Sequence, residues 1–385
     1  MTGMDCQRHL FSLPPDLHYL NCAYMSPLSK RVEEAGIVGL RRKRDPTKIE
    51  ARHFFEGMDR VRERFAALVN APAERVAVIP SASYGLAVAA RNTPVERGQN
   101  IVIARDQFPS NVYAWRRRAA EAGAEVRTVA APATRARARA WNEALLEAID
   151  GDTAAVALGQ VHWTDGTRFV LEAIGGRARE VGAALIVDGA QSVGAMPFDV
   201  RRIRPDALVC VGYKWLMGPY SLGVAYYSER YDDGVPLEET WIGRRGSEDF
   251  RRLVDYQDPY RPGALRYDAG EGSNFTLVPM LEAALAQIQE WGVERIESYC
   301  RTLLAPVARE AAERGWYVEE DDGRAGHILG VRLPADLDLE QLKASLAAAN
   351  VAASLRGDSL RISPNVYNDE SDITALLDAL RAGIR

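Results

Sequence analysis

Seven short apolar runs, rich in Val, Ile and Ala, punctuate the chain at 76–80, 101–104, 126–129, 154–158, 184–187, 207–211 and 223–227. Between them lie turn residues and stretches with helical spacing, as where Ser81-Ala82-Ser83-Tyr84-Gly85 opens a helix with Leu86, Val88 and Ala89. Runs of this kind, alternating with helical intervals, predict an α/β protein built on a mostly parallel, seven-stranded, doubly wound sheet. Helices are also expected twice within 29–70, before Gly123, and over 172–181. Residues 228–265 hold many Gly, Pro, Trp and Arg and read as ordered loops.

Beyond them the pattern turns helical from 278 to 314, with short strands at 328–333 and 360–363 and helices near 338–349 and 371–382. This tail reads as a smaller C-terminal α+β domain. The chain accordingly divides into an N-terminal segment 1–30, a large domain 31–265 and a small domain 266–385. Three irregular stretches have simple readings. The basic run 41–44 is a solvated helix end, the Arg–Ala alternation over 134–141 is an exposed loop running into a helix, and the acidic run 319–322 is a hairpin tip.

Composition narrows the function classes. With 47% hydrophobic and 26% charged residues in 385, the chain has ample material for a core. A net charge of −5 argues against general nucleic-acid affinity. No run approaches the roughly 18 apolar residues of a spanning helix, so no membrane association is expected. The four cysteines (Cys6, Cys22, Cys210, Cys300) are scattered without C-x-x-C spacing, which fits a reducing compartment. The opening residues include Asp5, Arg8 and His9 and lack the apolar centre of a signal peptide, so a cytoplasmic location is expected. Five histidines show no metal-ligand spacing, and no metal site is expected.

The chemistry concentrates in 184–215. One apolar run ends on Asp188 and a second, 207–211, ends near Lys214, placing a carboxylate and an amine at the C-terminal ends of two candidate parallel strands, where open α/β sheets put their ligands. Lysine occurs five times in this arginine-biased chain, and Lys214 is alone between 49 and 342. Arginine cannot form an imine at ordinary pH, whereas a desolvated lysine can. Asp188, Gln191 and Lys214 are together what pyridoxal 5′-phosphate (PLP) needs. The acid keeps the pyridine nitrogen protonated, the amide holds the ring hydroxyl and the amine forms the Schiff base. No G-x-G-x-x-G follows the first strand, which disfavours a nicotinamide oxidoreductase.

The order Ser81-Ala82-Ser83, Phe108, Asp188-Gly-Ala-Gln191, Tyr213-Lys214 and Gly272-Ser273-x-Phe resembles the class V aminotransferase family of fold-type-I PLP-dependent transferases, which includes cysteine desulfurases, kynureninase and isopenicillin N epimerase. The resemblance implies that Ser81, Ala82 and Ser83 cradle the cofactor phosphate with Tyr213, and that Phe108 stacks on the ring. It implies that Arg361 grips the substrate carboxylate, with Arg356 a weaker candidate, and that Asn21 lies near the substrate. His162 and Thr164 fall near the expected ring hydroxyl, and each reads either as a contact to that oxygen or as structural. Ser273 and Asn274 would reach the phosphate of a neighbouring subunit, implying a homodimer with shared active sites. The implied activity is an aminotransferase acting on an amino acid through Lys214, with a β-eliminating C–S lyase second and an epimerase third. A persulfide-forming cysteine desulfurase is disfavoured because 301–361 contains no cysteine.

Overall fold

The computed structural model describes residues 4–383. All seven apolar runs enter one sheet, as β1 (Val76–Ile79), β2 (Asn100–Ala104), β3 (Glu125–Val129), β4 (Thr153–Gly159), β5 (Ala184–Asp188), β6 (Ala207–Val211) and β7 (Gly223–Tyr227). Across the sheet they lie in the order β1-β7-β6-β5-β4-β2-β3. β7 runs antiparallel to both neighbours and every other pairing is parallel, so the sheet is mostly parallel, as the alternation predicts.

Helices cover both faces: α1 (Lys30–Arg41), α2 (Glu56–Val69), α3 (Ala82–Asn92), α4 (Ser110–Ala122), α5 (Arg137–Ala148), α6 (Leu171–Glu180) and α7 (Leu277–Trp291). Successive strand residues therefore feed two different cores. Val78, Val102, Val156, Val187 and Leu208 meet side chains of α2, α5, α6 and α7. Ile79, Ile101, Ile103, Ile186 and Val209 meet α3 and α4. This double cover is why the strands other than the edge strand β3, which carries Glu125, Arg127 and Thr128, are apolar almost throughout rather than alternating. Each large side chain so buried contributes roughly 1.5–3 kcal/mol. α3 lies very close to the sheet, because a Cβ on Gly85 would come within 2.8 Å of both Ile79 and Val209.

The C-terminal region forms a second, antiparallel sheet from β8 (Tyr317–Val318), β9 (Leu329–Arg332), β10 (Ser354–Arg356) and β11 (Ser359–Ile362), ordered β10-β11-β9-β8. It packs with α8 (Val293–Glu313), α9 (Leu339–Ala348) and α10 (Glu370–Gly383) around Leu304, Val331, Leu342, Leu360, Ile362 and Leu376. Gly292, at φ +80°, separates α7 from α8. The N-terminal pair His18–Tyr19 runs parallel to Val351–Ala352, and Leu20 enters this second core.

Two local expectations need correction. Arg137 begins α5 and is buried rather than exposed, with its guanidinium on Asp165 (2.8 Å) and 4.6 Å from the Trp141 ring. The 319–322 stretch is more than a hairpin tip. Glu319 is buried, where it accepts from the Ala138 N–H (3.1 Å) and the Tyr317 hydroxyl (2.9 Å). In both cases a partner distant in sequence, Asp165 for Arg137 and the Ala138 N–H for Glu319, satisfies a charged group that local pattern reads as solvated. Among the described residues no helix is long and apolar enough to cross a membrane.

Candidate active site

Asp188 closes β5, and Lys214 follows the end of β6 by three residues. The two strands are parallel neighbours with Asp188 opposite Val209, so both side chains sit at one end of the sheet. They line a cleft of about 280 Å³ with Ser81, Ser83, Phe108 and Tyr213. Asp188 opens into this cleft and is otherwise enclosed by protein. Burial pushes its pKa up, against the Ala190 N–H that donates to Oδ1 (3.0 Å) and the nearby charge of Lys214. Lys214 is 7% exposed. Burial lowers its amine pKa to about 8, Arg361 and Arg356 push the same way, and Asp188 opposes them. A minority of this amine, far more than for a solvated lysine, is therefore neutral near physiological pH.

The turn after β1 delivers the first helix end to the same cleft. Ser81 has extended backbone and caps α3, its Oγ accepting from the Tyr84 N–H (3.2 Å) and touching Ser83 Oγ (2.9 Å). The N–H groups of Ala82 and Ser83 belong to the unpaired first turn, where the helix dipole favours an anion.

Phe108 forms another wall, with Lys214 Nζ 5.1 Å from its ring centroid and the Trp163 ring edge-on to it at 5.5 Å. The loop carrying it is clamped from behind. Trp163 Nε1 donates to the Asp106 carbonyl (2.7 Å) and His162 Nε2 to that of Arg105 (3.1 Å), while Asp106 itself sits at φ +57°. His162 Nδ1 meets Thr164 Oγ1 at 2.8 Å. Both ring nitrogens of His162 are thus committed to protein, although the ring lines the cleft, and Thr164 is turned toward the histidine.

Gln191 lines the cleft and spans elements far apart in sequence. Its Nε2 donates to the Ala23 carbonyl (3.0 Å), and its Oε1 accepts from Trp215 Nε1 (2.9 Å), leaving one amide hydrogen for a ligand. Tyr213 lies beside Tyr220, ring centroids 4.6 Å apart. Arg361 is 1% exposed, and its Nη1 donates to the Trp163 carbonyl (2.8 Å) while its Nε has no partner. Asn21 joins the N-terminal segment to β10 by accepting from Ser354 Oγ (2.7 Å). Ser273 is brought to a separate crevice with Arg42, His53 and Phe275, away from Lys214.

Sequence reasoning missed several of these participants. Cys22 is fully buried beside Arg361 and Lys214, and burial pushes its thiol up to about 11. Trp215, Tyr220 and His327 also shape the site, yet they carry no local signal, because only the fold brings His327 beside Gln191. Among the described residues no cluster of His, Cys, Asp and Glu is arranged to hold a metal ion. What the cleft does offer is a partly neutral amine facing a buried carboxylate with which it makes no ion pair, next to a helix N-terminus. That donor set fits an aldehyde-bearing, phosphorylated, basic aromatic ring.

The sequence matches the profile of the family described as Aminotransferase class-V over residues 47–376. It is 24% identical over 335 residues to the uncharacterized aminotransferase YcbU of Bacillus subtilis, covering 83% of this chain and 82% of that one. Similarity to the isopenicillin N epimerase of Streptomyces clavuligerus is 25% over 332 residues, or 83% of each chain. Among solved structures, the cysteine desulfurase CsdA of Escherichia coli superposes with a TM-score of 0.82 at 22% identity, over 98% of this chain and 97% of that one.

Proposed function

The chain belongs to the class-V aminotransferase family, and from that premise we propose that it is a PLP-dependent aminotransferase acting at Cα of an amino acid. The observation that carries the reading is the depressed, buried Lys214 amine facing the buried Asp188 carboxylate across one cleft. When bound, the cofactor supplies an aldehyde and an electron-withdrawing pyridine ring. Lys214 would hold the aldehyde through the neutral form of Nζ, and the same amine is the group placed to take up the substrate's Cα proton. Asp188 holds a proton on the ring nitrogen through its negative charge. The Ala82 and Ser83 N–H groups with Ser81 would receive the phosphate, and the second amide hydrogen of Gln191 would be available to the ring oxygen. Phe108 covers the ring face, and Arg361 takes the α-carboxylate in the fork geometry that guanidinium provides. His162 and Thr164 act behind the Phe108 loop. Ser273, remote from its own Lys214, is assigned to the cleft of a second copy in a cytoplasmic homodimer.

A persulfide-forming desulfurase is disfavoured. Such chemistry needs a mobile, ionisable thiol, whereas Cys22 is immobilised by Asn365 Nδ2 (3.3 Å) and its pKa is raised. An epimerase, third in order from the sequence, moves ahead of the lyase as the second reading, favoured by similarity to the Streptomyces enzyme along most of both chains. The deciding experiment incubates PLP-loaded protein with amino acids, with and without an added α-keto acid. Keto acid formed only when the acceptor is present supports transamination. Acceptor-independent ammonia indicates elimination, and inverted amino acid without either product indicates epimerisation.

A further inference from the structure

The geometry points to an amino acid with a second negative group as the substrate, its side-chain carboxylate or sulfinate received by Arg356 while Arg361 holds the α-carboxylate. This inference rests on the reading above. It starts from the hairpin formed by β10 and β11, where Ser354 faces Arg361 and Arg356 faces Ser359. Residues opposite each other, and those two apart on one strand, share a face of a sheet. Arg356 and Arg361 are therefore diagonal neighbours on the same face.

Both arginines converge on Trp163, which lines the cleft. Arg361 Nη1 bonds its carbonyl (2.8 Å), and the Arg356 guanidinium lies 5.9 Å from its ring centroid. Neither arginine has a carboxylate partner among the described residues. Arg356 Nη1 donates only to its own neighbour's carbonyl, that of Leu355, at 2.8 Å, and Arg361 Nε is buried without any partner. Elsewhere this chain pairs its enclosed arginines with acids, as in Arg137–Asp165 and Arg62–Asp268. Among the described residues Asp188 is the one carboxylate lining the cleft, and the reading above gives it to the ring nitrogen.

Two guanidinium groups thus lie behind Trp163, close enough to Lys214 to disfavour its charge, with no carboxylate of the described residues paired to them. One α-carboxylate is saturated by a single bidentate arginine. Occupation by a neutral amino acid would leave the second cation uncompensated, and a side-chain anion removes that cost.

The test follows exchange of the Cα hydrogen for solvent deuterium, by proton NMR, in PLP-loaded protein offered L-aspartate, L-glutamate, L-cysteine sulfinate, L-alanine or L-norvaline. Exchange is common to transamination, elimination and epimerisation, so the result does not depend on which follows. The expected kcat/KM favours at least one dianionic substrate by about tenfold or more over the neutral ones. Arg356→Gln should collapse that ratio, chiefly through KM, and Arg356→Lys should restore part of it. Calorimetric titration with succinate and butyrate gives a second readout, succinate binding more tightly in the wild type and losing its advantage in Arg356→Gln. Equal exchange of neutral and dianionic substrates, or a uniform loss in Arg356→Gln, overturns this inference and leaves the aminotransferase reading standing. No exchange with any amino acid removes that reading and this inference together.

Discussion

His327 Nε2 lies 2.7 Å from the carbonyl oxygen of Gln191, tying the residue two before β9 to the turn that follows Asp188. The imidazole is fully buried, stands edge-on to the Trp215 ring at 4.4 Å, and has no partner at Nδ1. Because a carbonyl only accepts, Nε2 carries a proton, and burial keeps the ring neutral.

Burial lowers the His327 pKa to about 4 from an ordinary 6.5. Between those values the unfolded chain binds a proton that the folded one refuses, so stability falls as pH falls through this window. The loss amounts to up to about 3 kcal/mol. Urea denaturation of wild type between pH 7 and 4 should show this slope, and His327→Gln should lack it. Equal slopes for the two proteins would remove His327 as its source.

Lys214 gives a prediction of opposite chemistry and the same sign. Its folded pKa of about 8 lies below the usual 10.5, so burial of the ammonium costs stability at neutral pH and the cost disappears as pH rises from 8 to 10.5. Lys214→Met should therefore stabilise the cofactor-free protein at pH 7 by about 2–3 kcal/mol, measured by denaturant unfolding. In the wild type, the rate of pyridoxal phosphate capture should rise with pH to a midpoint near 8. A midpoint close to 10.5 would mean the amine is solvated.

The strands and the Lys214–Asp188 pair were legible because they leave local traces. Strands buried on both faces are apolar in every position, and the lone lysine stands out in a chain that otherwise uses arginine. Arg137 was not legible, since nothing near it in sequence announces that Asp165, nearly thirty residues on, will neutralise it. His162 shows the limit at the site itself. Its place in the chain suggests a ring contact, whereas tertiary structure spends Nε2 on the Arg105 carbonyl and Nδ1 on Thr164. Cys22 and His327 reach the cleft only through long-range packing, which periodicity does not encode.

Arg137 also yields a stability prediction. Its guanidinium bonds Asp165 and Thr167 Oγ1 (2.7 Å) in a dry environment. Arg137→Ala strands a buried carboxylate and should destabilise by about 3–5 kcal/mol. Changing both residues together, as Arg137→Ala with Asp165→Asn, should cost less than the sum of the two single changes in a double-mutant cycle. Additive losses would show that the pair is not coupled.

Asp188→Asn separates charge from shape. The variant keeps an acceptor for the Ala190 N–H and removes a buried anion, so folding should be preserved and the cofactor-free protein should not lose stability. Exchange of the substrate Cα hydrogen should fall by about a hundredfold or more, because a neutral amide no longer holds the proton on the ring nitrogen. The Lys214 amine should also titrate lower, since Asp188 is the main group that raises it. Near-normal exchange in this variant would refute the role given to the carboxylate.

Arg361 sets function against stability. Burial and the neighbouring Arg356 lower its pKa to about 10, its Nε is unsatisfied, and no acid compensates it. A group so placed is costly to the empty protein and is compensated only when an anion arrives. Arg361→Gln keeps a donor for the Trp163 carbonyl while removing the charge. The cofactor-free variant should be at least as stable as wild type. With PLP restored, KM for amino acids should rise by about tenfold to a hundredfold and kcat should change less, the signature of lost substrate binding. Arg361→Lys should recover little, because an ammonium cannot reproduce the fork. A variant markedly less stable than wild type, with KM unchanged, would make Arg361 a structural arginine and leave the substrate carboxylate without its partner.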